Sequence, residues 1–241
     1  MSGERRERIL GLLVDGKGGP FGTKRLCQVC AEVTEMTGAG IMLMAGDVAQ
    51  GSLCTSNAMS DLIEQLQYSL GEGPCVDAYS QNWPVLEPDL AHPETPRWLA
   101  FAPEAIAGGV RAVFGFPLQV GSVRLGALNL CRDQAGPLSD DHHADALVVA
   151  GIAAQAVLVM QGNEPSGELA YELGAGADFH YVVHQASGMV AAQLGVSVRD
   201  ALVRLRAYAF GTDRSLTDVA KEVVGRELRF DSPSLEGDPR P

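Results

Sequence analysis

The chain has 241 residues, 46% of them apolar and 20% charged, with 18 basic against 30 acidic side chains and a formal charge of −12. That apolar content is enough to build one large or two small cores, and it excludes a chain that is disordered as a whole. The negative charge excludes an electrostatic grip on nucleic acid by the whole molecule, so any such contact must be local.

Near the N-terminus Arg5, Arg6 and Arg8 alternate with Glu4 and Glu7, and no cleavable signal follows Leu13. Leu26, Val29, Cys30, Val33 and Met36 then recur at helical spacing after a cap at Thr23. Ile41 to Ala45, Val110 to Leu118 and Leu125 to Leu130 are short apolar runs bounded by Gly or Pro, the pattern of strands. The segments Val113–Leu118 and Arg124–Cys131, separated by Gln119–Val123, predict a hairpin at the centre of an antiparallel sheet.

From Ser139, a suitable N-cap followed by Asp140 and Asp141, a long helix is expected through Met160. Leu147, Val148, Val149, Ile152, Ala153, Ala156, Val157 and Met160 cover more than one stripe of it, which predicts a second partner surface such as another subunit. The apolar run from Ala144 to Met160 is broken by Asp145, Gly151 and Gln155 and is shorter than the ~20 residues of a bilayer span. No membrane contact is predicted, and the expected location is the cytoplasm.

Five cysteines, Cys27, Cys30, Cys54, Cys75 and Cys131, are an odd number in a chain too long to need a disulfide scaffold, so reduced thiols are expected. Cys27-x-x-Cys30 has neither a second such pair nor a histidine at metal spacing. Adjacent His142 and His143 point about 100° apart on a helix, and His180 with His184 have no third ligand at suitable spacing. No metal site is predicted. Catalytic residues are not predicted either: phosphate-loop, nucleophile-elbow and Asp-rich metal motifs are all missing, and Gly71-Glu-Gly73 reads as a turn before Pro74.

Residues 161–167 are small and polar with one proline and read as a linker between a first domain (20–160) and a second (168–230). Charge divides the same way. Residues 1–167 carry 10 basic and 19 acidic side chains, whereas 178–230 carry 7 and 6. The second domain reads as three helices. Phe179, Val182, Val183, Ala186 and Val190 mark the first, which ends near Gly195. Ser197-Val-Arg-Asp200 and Ser215-Leu-Thr-Asp218 open the others with one kind of start signal. Their buried stripes are Ala201, Leu202, Leu205 and Ala209, and then Leu216, Val219, Ala220, Val223 and Val224. The proline-rich tail 231–241 is expected to be disordered.

Leu70-Gly-Glu-Gly-Pro-Cys75, Trp83-Pro-Val-Leu86, Gly109-Val-Arg-Ala-Val-Phe114, Phe116-Pro-Leu118 and Leu125-Gly-Ala-Leu-Asn-Leu130, in that order, resemble the GAF sensor domains of actinobacterial regulators. Gln185-Ala-Ser-Gly-Met189, Ala201, Leu205-Arg206, Ala209, Leu216, Val219 and Ala220 resemble an ANTAR domain, the RNA-binding module of transcription antitermination regulators. The resemblance implies an α+β chain: an N-terminal GAF-like domain with an antiparallel sheet flanked by helices, then a C-terminal all-α three-helix ANTAR-like bundle. It also implies RNA hairpins in transcript leaders as partners, a homodimer, and room for a small-molecule ligand in the GAF-like domain. Met42, Met44, Cys75, Phe114 and Phe116 are the residues it brings near that ligand, and they serve equally as core. No cofactor is specified. Many ANTAR domains have Ala-Lys-Gly where this chain has Ala186-Ser187-Gly188, and an Arg near the position of His180, so two cations are missing from the first helix.

On the second helix of the bundle, Arg199 and Arg206 lie seven residues apart on one flank of the buried stripe, and Arg204 and Tyr208 share the other. Guanidinium groups grip phosphate and stack on bases, and a tyrosine ring adds a stacking face. Lys221, Arg226 and Arg229 extend this RNA-binding set onto the third helix. Two other readings stay open on the sequence: a GAF-type thiol redox sensor or enzyme using Cys75 with Cys27 or Cys30, and a DNA-binding helical output domain.

Overall fold

A computed structural model gives the fold and describes residues 2–13, 22–46, 48–163 and 178–230. The chain forms two compact units, Met1–Leu173 and Gly174–Pro241.

The first unit runs α1 (Ser2–Leu13), α2 (Thr23–Val33), β1 (Gly38–Ala45), β2 (Val48–Thr55), α3 (Ala58–Leu70), α4 (Pro74–Gln81), β3 (Val85–Glu87), α5 (Phe101–Ala107), β4 (Ala112–Val120), β5 (Val123–Arg132) and α6 (Asp140–Asn163). The five strands pair antiparallel throughout in the order β2-β1-β5-β4-β3. The predicted hairpin therefore lies at the heart of the sheet. Its strands continue further than their apolar runs, leaving Gly121 and Ser122 as the turn, with Gly121 at φ 58°.

Side chains alternate across the strands, so the sheet has two buried faces of different chemistry. Ile41, Leu43, Phe114, Phe116, Leu128 and Leu130 join α2 and α6 in one apolar core. The opposite face, under α3 and α4, is more polar. There Asn129 meets Glu64, and the Cys75 thiol meets the Ala127 carbonyl. Phe114 and Phe116 thus lie on the far side of the sheet from Cys75. That corrects the grouping of Met42, Met44, Cys75, Phe114 and Phe116 around one ligand; strand alternation divides them.

Helix α2 starts one residue earlier than expected, with Gly22 rather than Thr23 at the N-cap. It packs over β1 and β2, and Cys27 is joined there to Cys54 of β2 by a disulfide, with Cα atoms 6.1 Å apart. The expectation of five reduced thiols is corrected by this pair. Tertiary packing of a helix on a strand brought together residues 27 positions apart. Cys30, Cys75 and Cys131 are free and buried.

Ser139 caps α6, its hydroxyl accepting from the His142 amide at 3.2 Å. Part of the surplus apolar surface of α6 is met within the chain by α1, whose Ile9 and Leu13 enter the same core. Arg5 and Arg8 reach Asp145 on α6 at 2.8 and 2.7 Å, and Arg5 also pairs with Asp141. Leu147 and Val159 remain exposed. By length and composition alone α6 passes for a membrane span, but its buried stripe belongs to the core of this unit.

The second unit comprises α7 (Asp178–Leu194), α8 (Val198–Gly211) and α9 (Leu216–Val224). Helix α7 stops where Gly195 takes φ 64°, and the Val196 amide returns to the Ala191 carbonyl at 3.2 Å, closing the helix end as the glycine predicted. Ser197 and Ser215 cap the next two helices, accepting from the Asp200 and Asp218 amides at 3.1 and 3.0 Å. Most of the expected stripes are buried: Val183, Ala186 and Val190 on α7, Ala201, Leu202, Leu205 and Ala209 on α8, and Leu216, Val219, Ala220 and Val223 on α9, whereas Val182 is half-buried and the side chain of Phe179 lies outside the described residues. Val224 is half-buried. Helix α6 continues two residues beyond Gln161, into the predicted linker, while 164–167 and the tail 231–241 lie outside the described residues.

Candidate nucleic-acid interface

The stripe that holds α8 in the bundle, Ala201, Leu202, Leu205 and Ala209, leaves the rest of the helix to water. Arg199 and Arg204 are exposed there, while Arg206 and Tyr208 are half-buried at the two margins of the stripe. The two predicted flanks are therefore real. The Tyr208 ring meets Phe230 edge-on, with centroids 5.3 Å apart, and the Phe230 amide donates to Gln193 at 2.9 Å. The segment after α9 thus folds back on α7 and α8, and Tyr208 helps to hold it.

On α9, Lys221 is exposed and lies 3.9 Å from Asp218 one turn earlier, a contact that water screens heavily. Arg226 is exposed in the left-handed region at φ 64°, and Arg229 is exposed beyond it. One cation absent from the sequence-level set, Arg214, is bound to Glu222, which raises its already high pKa through the hydrogen bond. These two line a surface cleft of about 550 Å³ together with Asp213, Ser215, Asp218 and Lys221. Three carboxylates there make it a poor seat for phosphate. Ser187, where many ANTAR domains have lysine, is buried and donates to the Val183 carbonyl at 2.7 Å. The side chain of His180 lies outside the described residues.

Sequence reasoning missed Phe210. Its side chain is 69% exposed, and it follows Val203, 55% exposed, by seven residues on the same side of α8. The signal was available: 199, 203, 206 and 210 follow one another at helical spacing, off the buried stripe.

In the first unit, burial pushes the Cys30 and Cys131 thiols up to about 12 and that of Cys75 well above its ordinary value. All three stay protonated at neutral pH, the reverse of what a nucleophilic thiol needs. Cys27 is occupied by Cys54. The pairings proposed for a thiol centre are therefore not assembled. Among the described residues no group of three His, Cys, Asp or Glu side chains is placed to hold a metal ion.

Three helices with two serine caps describe a fold but not a lineage, and the comparison with known families decides it. Residues 177–224 match the ANTAR domain family, the span from α7 to the end of α9. Among solved structures, the GAF domain of a phosphoenolpyruvate-protein phosphotransferase from Coxiella burnetii is similar, with TM-score 0.50 and 14% identity over 67% of this chain and 95% of that one. The chain carries an ANTAR domain over residues 177–224, and its first unit has a GAF-like fold. The GAF domain of the corresponding Acinetobacter protein is also similar (TM-score 0.49, 9% identity, 68% of this chain and 96% of that one). So is a type II free methionine-R-sulfoxide reductase from Thermoplasma acidophilum (TM-score 0.45, 18% identity, 65% and 94%). At such identities the GAF likeness is one of fold. No curated protein matches the chain.

Seen as a GAF-like unit, the first unit places its fingerprint segments at strand and helix junctions. Gly71 caps α3 in the left-handed region, Gly73 and Pro74 start α4, and the Glu72 carboxylate between them accepts from the Ala100 and Phe101 amides at 2.6 and 2.7 Å. The ANTAR unit presents α8 as its most basic exposed surface, with three arginines against Asp200.

Proposed function

We propose that this chain is a non-catalytic, RNA-binding regulator of transcription in the cytoplasm, in which the GAF-like unit senses a small molecule and controls the ANTAR unit. The observation that carries the reading is the ANTAR match over the very helices that place Arg199 and Arg204 on the exposed side of α8. Arg199, Arg204 and Arg206 supply phosphate contacts on that helix, with Lys221 and Arg226 extending them on α9. Sequence-specific contact with RNA is made chiefly to unpaired loop bases, which suits one small helical face better than a deep duplex groove does. Binding a stem-loop in a transcript leader keeps a competing terminator hairpin from forming, so the outcome is set by the balance between two RNA folds. A homodimer presents two such faces, and linked loops then bind at high effective concentration.

Gel-shift competition at fixed salt tests this reading. A labelled hairpin RNA is expected to stay bound in the presence of excess duplex DNA of the same sequence. Equal displacement by the DNA would assign the chain to duplex DNA instead.

A further inference from the structure

We propose that Phe210 is a base-stacking platform of the ANTAR unit, receiving an unpaired base of looped RNA next to the arginine flank of α8. The inference rests on the RNA-binding reading and assigns a role to a residue outside the cation set. Isolated apolar side chains on a surface need no explanation. Phe210 is not isolated. With 3.6 residues per turn, positions 199, 203, 206 and 210 fall within about 60° of one another around the helix, and Phe210 sits only about 6 Å along the axis from Arg206. Val203, also exposed, extends the apolar patch toward the N-terminal end of the helix.

The ends of α8 differ electrostatically. Its start carries Arg199 and Asp200, which offset each other, and the positive end of the helix dipole, whereas its last turn carries Phe210 and the negative end, with Asp213 just beyond and Arg214 after it already paired to Glu222. Phosphate is therefore favoured near the start and disfavoured at Phe210. The flat face of a base carries no net charge, so it suits the latter. Stacking on an aromatic ring is tolerant of which base is offered, and an adjacent arginine adds to it. Tyr208, the other aromatic residue of α8, turns its ring to Phe230 instead.

The test uses the full chain and a labelled hairpin RNA pool with a fixed stem and a randomised loop, part of it carrying 2-aminopurine in the loop. Wild type is expected to bind and to quench the 2-aminopurine. Phe210→Ala should lose roughly ten-fold in affinity and the quenching, with an unchanged dependence on salt, because no ion contact is removed. Phe210→Trp should retain both. Since the ring is exposed, the thermal unfolding of Phe210→Ala should match that of wild type. Wild-type affinity and quenching in Phe210→Ala would overturn the inference while leaving RNA binding intact, whereas failure of wild type to bind any hairpin would overturn the reading beneath it. A change of oligomeric mass in Phe210→Ala, read by light scattering, would assign the face to a second copy of the chain and also overturn the inference.

Discussion

Glu64 shows at the scale of one residue how little a local pattern says about burial. On α3 it lies three positions before Gln67, both polar and each suited to a wet helix face, yet both are buried against the sheet. Gly40 on β1 makes room for it: a Cβ there would come within 2.9 Å of the Glu64 side chain. One oxygen accepts from Asn129 at 3.4 Å, while the other, together with the Gln67 amide nitrogen and the Asn129 amide oxygen, has no hydrogen-bond partner among the described residues. Burial raises the Glu64 pKa to about 8, against weaker lowering by Asn129 and Ser52. The folded chain therefore holds a proton that the unfolded chain releases near its ordinary value of 4.5. Its contribution to stability is complete below that value and is lost as pH rises through about 8. Thermal unfolding followed from about pH 5 to about pH 8 should show wild type losing a few kcal/mol relative to Glu64→Gln, which cannot ionise. Parallel curves for the two proteins would mean that Glu64 is hydrated and ionised in the fold.

Between elements, the readable features were those that a helix or strand carries within itself. The serine caps of α8 and α9, the glycine end of α7 and the β4–β5 hairpin all depend on residues a few positions apart. The contacts that escaped depend on partners far along the chain. Cys27 finds Cys54 only because α2 lies on β2, and the chain-entropy model gives that cross-link about 3.5 kcal/mol for its loop of 27 residues. Denatured without reductant, the protein should present three titratable thiols, Cys30, Cys75 and Cys131, and all five only after reduction. Five thiols at the outset would remove the cross-link. Helix α1 was equally hidden. Its alternating charges bear in the sequence only on the question of a cleavable signal, but Arg5 and Arg8 converge on Asp145, whose side chain is only 7% exposed. Burial there favours the protonated acid, and the two guanidinium groups more than offset it, holding the carboxyl below its usual range. Replacing both arginines by alanine should cost about 2 kcal/mol and release α1 from α6, visible as faster amide exchange in residues 2–13. Unchanged protection would show that Ile9 and Leu13 alone dock the helix.

For the molecule as a whole, the governing quantity is the division of charge, which was legible from the sequence because it needs no coordinates. The bundle interface was legible only in outline. The flanks of α8 followed from helical periodicity, whereas the engagement of Tyr208 by Phe230 arises from a segment that folds back after α9. Residues 1–167 carry 10 basic and 19 acidic side chains, while Gly174–Pro241 carries 8 and 9 and is nearly neutral. A polyanion approaching α8 thus meets local arginines against a repulsive field from the acidic unit tethered to the same chain. That field reaches about 30 Å at 0.01 M salt and about 8 Å at 0.15 M. The local phosphate contacts weaken with salt as counterion release diminishes, and the long-range repulsion weakens sooner. Hairpin RNA should therefore bind the separately expressed 174–241 segment more tightly than the full chain at low salt, with the difference closing as salt rises toward physiological strength. Association rates from stopped-flow fluorescence would carry most of the effect, since steering acts on encounter. A full chain that binds better than the segment at every salt concentration would mean that dimerisation or direct RNA contact by the GAF-like unit outweighs its charge.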